Sequence, residues 1–99
     1  MAKIRVTPQT LRQRADELET LNNKFKNEVE KLKTLNGTLG QQWRGDARTV
    51  FDREFQKDVQ KFEQFIKGIM DFIRVLRQNA DEYDRVENTN TSIARVRKS

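Results

Sequence analysis

Apolar residues recur along the first half of this chain in steps of three and four. The series runs from Leu11 through Ala15, Leu18, Leu21, Phe25, Val29, Leu32 and Leu35 to Leu39. Within it, Leu11, Leu18, Phe25, Leu32 and Leu39 keep a strict seven-residue interval. This is the pattern of an amphipathic helix with coiled-coil spacing. Thr7 followed by Pro8, the only proline, marks its start. A threonine caps free N–H groups, and proline at the first helical position loses nothing by lacking one. Val6 and Leu11 stand where a hydrophobic staple would, while Thr10 occupies the place of a capping-box acid. The spacing predicts a helix from Pro8 to Leu39, roughly 48 Å long.

A second series passes from Ala47 through Phe51, Phe55, Val59, Phe62, Ile66, Ile69, Ile73, Leu76 and Ala80 to Tyr83. It predicts a helix capped by Gly45 or Asp46 and running to about Glu87, roughly 60 Å. Gly68 is the only breaker inside it and costs about 1 kcal/mol against alanine. It reads either as a tolerated glycine or as a place where another backbone comes close. Between the two series, NGTLGQQWRGD holds Gly37, Gly40 and Gly45 and marks the break, although Leu39 still keeps helical phase. After Glu87 the text NTNTSIARVRKS turns polar and reads as a flexible tail. The predicted organisation is an N-terminal arm over 1–7, a helical hairpin over 8–87 with its turn near 40–45, and a polar tail over 88–99. The fold class is all-α.

Two helices do not use up the apolar surface. With Phe65, Met70 and Phe72 added, each helix is apolar over roughly 160°, wider than a two-helix seam requires. A lone hairpin would leave Phe65, Phe72 and Leu35 in water, at about 25 cal/mol per Å² of lost burial. A second hairpin is therefore expected, making an antiparallel four-helix bundle. The partner is either a second copy or a similar small helical chain. The interface is expected to use Leu18, Phe25, Leu32, Phe62, Phe65, Ile69, Phe72 and Leu76.

Composition narrows the chemistry. Ninety-nine residues make one domain, with no cysteine and no histidine. Disulfides and thiolate chemistry are excluded, and the usual general base and zinc ligand are missing. The only serines, Ser92 and Ser99, lie in the polar tail with no base placed near them. No enzymatic activity, cofactor or metal site is expected. The start, MAKIRVTPQT, lacks the apolar core of a cleavable signal peptide, and no stretch is apolar enough to span a membrane. The net charge is +5, but bases and acids interleave, as in KFKNEVEKLK. Such mixing marks a solvated helix face better than a nucleic-acid surface, so no nucleic-acid partner is expected.

The turn carries Trp43-Arg44-Gly45, a W-x-G motif, with Ala47, Phe51 and Phe55 following it. Near the far end stands Tyr83-Asp84-Arg85-Val86-Glu87, a Y-x-x-x-E motif. With this length and helix order, the chain resembles the WXG-motif family of early-secreted-antigen-like, type VII (Esx-type) secretion substrates. The resemblance implies synthesis in the bacterial cytoplasm and export as a folded dimer by a membrane-embedded ATPase, without a cleaved signal peptide. It implies a role as substrate, effector or export partner, associated with virulence. It also implies that Trp43 and Gly45 at the turn act with Tyr83 and Glu87 as a two-part export signal. Trp43-Arg44-Gly45 overlaps the tripeptide Arg44-Gly45-Asp46, but a turn and a helix cap account for Gly45 and Asp46 without an adhesion role. The competing readings are an intracellular helical adaptor or chaperone that pairs with a larger partner, and a nucleic-acid-binding dimer using Arg53, Lys57, Lys61 and the basic tail with Arg95, Arg97 and Lys98.

Overall fold

The structure, a computed structural model, describes residues 6–43 and 45–98, with side chains described up to residue 90. Helix α1 spans Pro8–Gln42 and helix α2 spans Asp46–Lys98, lying antiparallel in a rod 82 Å long and 24 by 22 Å across. Thr7 is extended, and its Oγ1 accepts the Thr10 N–H at 3.0 Å. The Thr10 hydroxyl lies 2.9 Å from the same oxygen, so it bonds the cap's side chain where a capping-box acid would reach its N–H.

Two boundaries differ from the sequence expectation. Helix α1 continues through Gly37 and Gly40 to Gln42, three residues beyond Leu39. Helix α2 continues beyond Glu87 to Lys98, where the sequence reading placed a tail. Asn and Thr have low helix propensity, but their cost is at most about 0.7 kcal/mol each. No glycine or proline follows Gly68 to stop the backbone. The Thr89 hydroxyl also bonds back to the Arg85 carbonyl at 2.9 Å, inside the ladder. The N-terminal arm expectation falls mostly on residues 1–5, outside the described residues.

The seam between the helices is built from alanines, β-branched aliphatic side chains and one asparagine. Ala15, Asn22 and Val29 recur every seven residues on α1 and are buried; Val59, Ile66, Ile73 and Ala80 do the same on α2. Asn22 Nδ2 donates to the Ile66 carbonyl at 3.1 Å, and Asn36 Nδ2 reaches Asp52 Oδ1 at 3.5 Å. These two bonds set the antiparallel register, which places Ala15 level with Ile73 and Val29 level with Val59. Ion pairs bridge the rim. Arg77 reaches Asp16 and Glu19, each at 2.9 Å, and Lys33 reaches Glu63 at 2.8 Å.

The larger apolar side chains point elsewhere. Among the described residues no large side chain is fully buried, and Leu21, Leu35, Phe65 and Phe72 are each more than half exposed. The uncovered face inferred from the sequence is present. Of the expected interface residues, Leu32, Phe65 and Phe72 are exposed, while Leu18, Phe25, Phe62, Ile69 and Leu76 are half-buried beside the seam. Phe25 meets Phe62 and Phe65 edge-on, with ring centroids 5.8 and 5.6 Å away. A Cβ at Gly68 would meet nothing within 4 Å, so no backbone of the hairpin approaches it.

Candidate functional site

The turn is short and held by one arginine. Helix α1 ends at Gln42, Trp43 is extended (φ −114°, ψ 120°), and Gly45 has φ +104°. That positive φ is why glycine stands there. Space around it is open, so backbone conformation alone selects glycine. The Gly45 carbonyl accepts the Arg48 and Thr49 N–H groups at 3.2 and 3.3 Å, starting α2, with Asp46 in its first turn. An acid there suits the positive end of the helix dipole.

Arg48 crosses back to close the turn. Its Nη1 donates to the Trp43 carbonyl at 3.2 Å, and its Nε donates to Asp52 at 3.0 Å. The guanidinium lies over Gly40, which is buried, and any Cβ at Gly40 would overlap it. A cation at the C-terminal end of α1 also meets the negative end of that helix's dipole. Arg48 did not stand out in the sequence, and Gly40 was read there only as part of the break between the helices, whereas it lies inside α1. Their signal was available only as an i,i+4 Arg-Asp pair beside a glycine still in helical phase.

The Trp43 indole is half-buried and packs on Phe51 at 5.3 Å, and Phe51 stacks on Phe55 at 6.1 Å. Beside this ladder, Leu32, Leu35, Leu39, Phe51 and Phe55 line an apolar hollow of about 140 Å³. The turn therefore presents a tryptophan supported from below and open above. Arg44 lies outside the described residues, so the Arg44-Gly45-Asp46 tripeptide is seen only as the glycine and the helix start.

Tyr83 and Glu87 stand one turn apart near the other end of the hairpin, both exposed. Arg12 holds this stretch of α2 against α1, donating to Asp81 at 2.8 Å and Asp84 at 2.7 Å. Donating to these two carboxylates, to Asp81 first and then Asp84, raises the arginine's pKa further above its usual value. Trp43 and Tyr83 are not brought together. A straight helix from Asp46 to Tyr83 separates them by roughly 55 Å.

The profile of the family described as proteins of 100 residues with WXG matches residues 3–88. The chain belongs to the WXG100 family. Solved structures of a secreted bacterial protein share its hairpin. The secreted protein ESXB from Bacillus anthracis is 24% identical, with a TM-score of 0.78 over 88% of this chain and 99% of that one. A wild-type form of ESXB in a second crystal form is 25% identical, with a TM-score of 0.76 over 85% of this chain and 97% of that one. A Gly-to-Ala variant of ESXB aligns equally well, with 25% identity and a TM-score of 0.76, over 86% of this chain and 98% of that one. Comparison with curated protein sequences gives no match. Among the described residues, no helix of this WXG100 chain is long and apolar enough to cross a membrane.

Proposed function

We propose that this WXG100 protein is a non-enzymatic cargo of a type VII secretion system, exported as a folded antiparallel dimer of hairpins. In it, Trp43 and Gly45 of one chain act with the partner's Tyr83 and Glu87 as the export signal. One observation carries the reading. The two motifs lie at opposite ends of a rigid hairpin roughly 55 Å apart, with an uncovered apolar face between them. Antiparallel pairing across that face covers it and sets each turn beside the partner's far end. The signal is then complete only in the assembled dimer, so assembly precedes recognition by the secretion ATPase. The secreted structural neighbours support export of this chain.

The test is complementation in a host carrying the secretion system. Chains with Trp43→Ala or Glu87→Ala, each expressed alone, should stay in the cell. Co-expressed, they form mixed dimers in which one end keeps both an intact Trp43 and an intact Glu87. Export of both variants should return. Export of either variant alone, or no rescue on mixing, counts against a signal shared between two chains.

A further inference from the structure

The uncovered face has a symmetry of its own. Its α1 half is a stripe from Leu11 to Leu39 in alternating steps of three and four, apolar except at Arg14 and Glu28. Its α2 half runs from Phe51 to Val86 in alternating steps of four and three, apolar or aromatic except at Asp58 and Asn79. Arg14 and Glu28 are equidistant from Leu21. Asp58 and Asn79 are equidistant from the point between Gly68 and Ile69. These two midpoints lie side by side, because the Asn22 bond to the Ile66 carbonyl brings that level of α1 to that level of α2.

A two-fold interface demands this arrangement. If residue i meets residue j of the partner, j must meet the partner's i. Turning one hairpin end for end and stacking the two outer faces lays α1 against the partner's α1 and α2 against its α2. An axis through the shared midpoint then sets Arg14 by the partner's Glu28 and Asp58 by the partner's Asn79. Each pairing is chemically complementary, cation to carboxylate and amide donor to carboxylate. Asp58 and Asn79 make no side-chain hydrogen bond or ion pair among the described residues, and both are exposed. Arg14 and Glu28 hold only exposed three-apart partners, Glu17 and Lys31, which exchange readily with solvent. Gly68, where an added Cβ would meet nothing within 4 Å, lies at this axis.

We infer that the partner is a second copy of this chain, with register set by Arg14–Glu28 and Asp58–Asn79 pairs about a two-fold axis at Leu21 and Gly68. This rests on the antiparallel pairing proposed above and identifies its partner. Polar positions in an otherwise apolar seam are effective register markers, because any shift strands them against apolar neighbours. The same axis sets Phe51 level with the partner's Val86. Trp43, packed on Phe51, thereby comes beside the partner's Tyr83 and Glu87.

The chain has no cysteine, so single-cysteine variants give unambiguous links. The full chain is made as Asp58→Cys, Asn79→Cys and Leu21→Cys, all at exposed positions, and treated with a short bis-maleimide. Asp58→Cys mixed and annealed with Asn79→Cys should give a covalent heterodimer. Neither should link to itself, since like positions lie about 31 Å apart along the helices. Leu21→Cys should link to itself. Light scattering accompanies each sample. A dimer, twice the 11.8 kDa chain, without the mixed link overturns the register and leaves the pairing standing. Self-linking of Asp58→Cys and of Asn79→Cys indicates parallel pairing and overturns both. A monomer also overturns both.

Discussion

Asn22 Nδ2 donates to the backbone carbonyl of Ile66, 3.1 Å away across the buried seam. Its Oδ1 is buried and has no hydrogen-bond partner. The Ile66 carbonyl sits inside a continuous helix, so the amide adds a second bond to an acceptor the α2 ladder already serves. An unsatisfied buried acceptor costs about 1–3 kcal/mol, against about 1 kcal/mol for the bond gained. Asn22→Leu, close in volume, should leave stability unchanged or raise it by about 1 kcal/mol in urea titration. A loss of more than 1 kcal/mol would show that the hydrogen bond outweighs the orphaned oxygen.

Two glycines of α1 should respond oppositely to alanine. At Gly37 a Cβ meets nothing, so Gly37→Ala should stabilise by about 0.5–1 kcal/mol. At Gly40 the Cβ would displace the Arg48 guanidinium from the Trp43 carbonyl and Asp52. The propensity gain is then offset by losing a charged hydrogen bond of about 1.5–3 kcal/mol. Gly40→Ala should melt lower than Gly37→Ala by several degrees, a difference read directly by circular dichroism.

Gly45 is needed for its φ of +104° and not for space. Gly45→Ala should destabilise the turn by about 1–3 kcal/mol, the cost of an L-residue in a sparsely populated region. Gly45→Asn, which tolerates positive φ better, should lose less. Equal losses for the two variants in denaturant titration would point to a steric requirement instead.

Charge reversal should separate self-pairing from general stickiness. Arg14→Glu and Glu28→Arg should each weaken the dimer by roughly 1–2 kcal/mol, about ten-fold in Kd, since each dimer holds the pair twice. The double variant should restore most of the affinity at low salt in sedimentation. Additive weakening in the double variant would exclude an Arg14–Glu28 contact.

Stability should be flat across neutral pH, because no histidine is present to titrate there. Hydrogen bonds from Arg85 hold the Glu82 pKa below its ordinary 4.5. Its contribution is complete above that value and is lost as pH falls through the lowered one. Lys33 is raised above its ordinary 10.5, first by its hydrogen bond to Glu63 and then by Glu30. Its contribution is complete below 10.5 and is lost as pH climbs through the raised value. Glu82 is exposed and Lys33 is half-buried at the rim with about a third of its side chain in water, so each slope should be shallow. Thermal midpoints should hold steady between about pH 5 and about pH 10; a step near pH 6–7 would contradict this.

Periodicity determined the two helices and the uncovered apolar face, and local Thr, Pro and Gly residues the Thr7 cap and the turn at Gly45. Steps of three and four leave only one way to wind the backbone, and Thr-Pro and a late glycine mark where winding starts and stops. The W-x-G and Y-x-x-x-E spacing was equally legible, being local text. Which stripe faces which partner was not. The eye follows leucines and phenylalanines, whereas the hairpin closes on the smaller residues beside them: Ala15, Asn22, Val29 and Ala80 let the helices approach closely. The larger side chains are thereby turned outward, where a second hairpin can cover them. The length of α2 and the Arg48 brace also escaped the text, since both depend on what the backbone meets in space. Only the tertiary register, fixed by the Asn22–Ile66 and Asn36–Asp52 bonds, brings the midpoints of the two outer stripes to the same level.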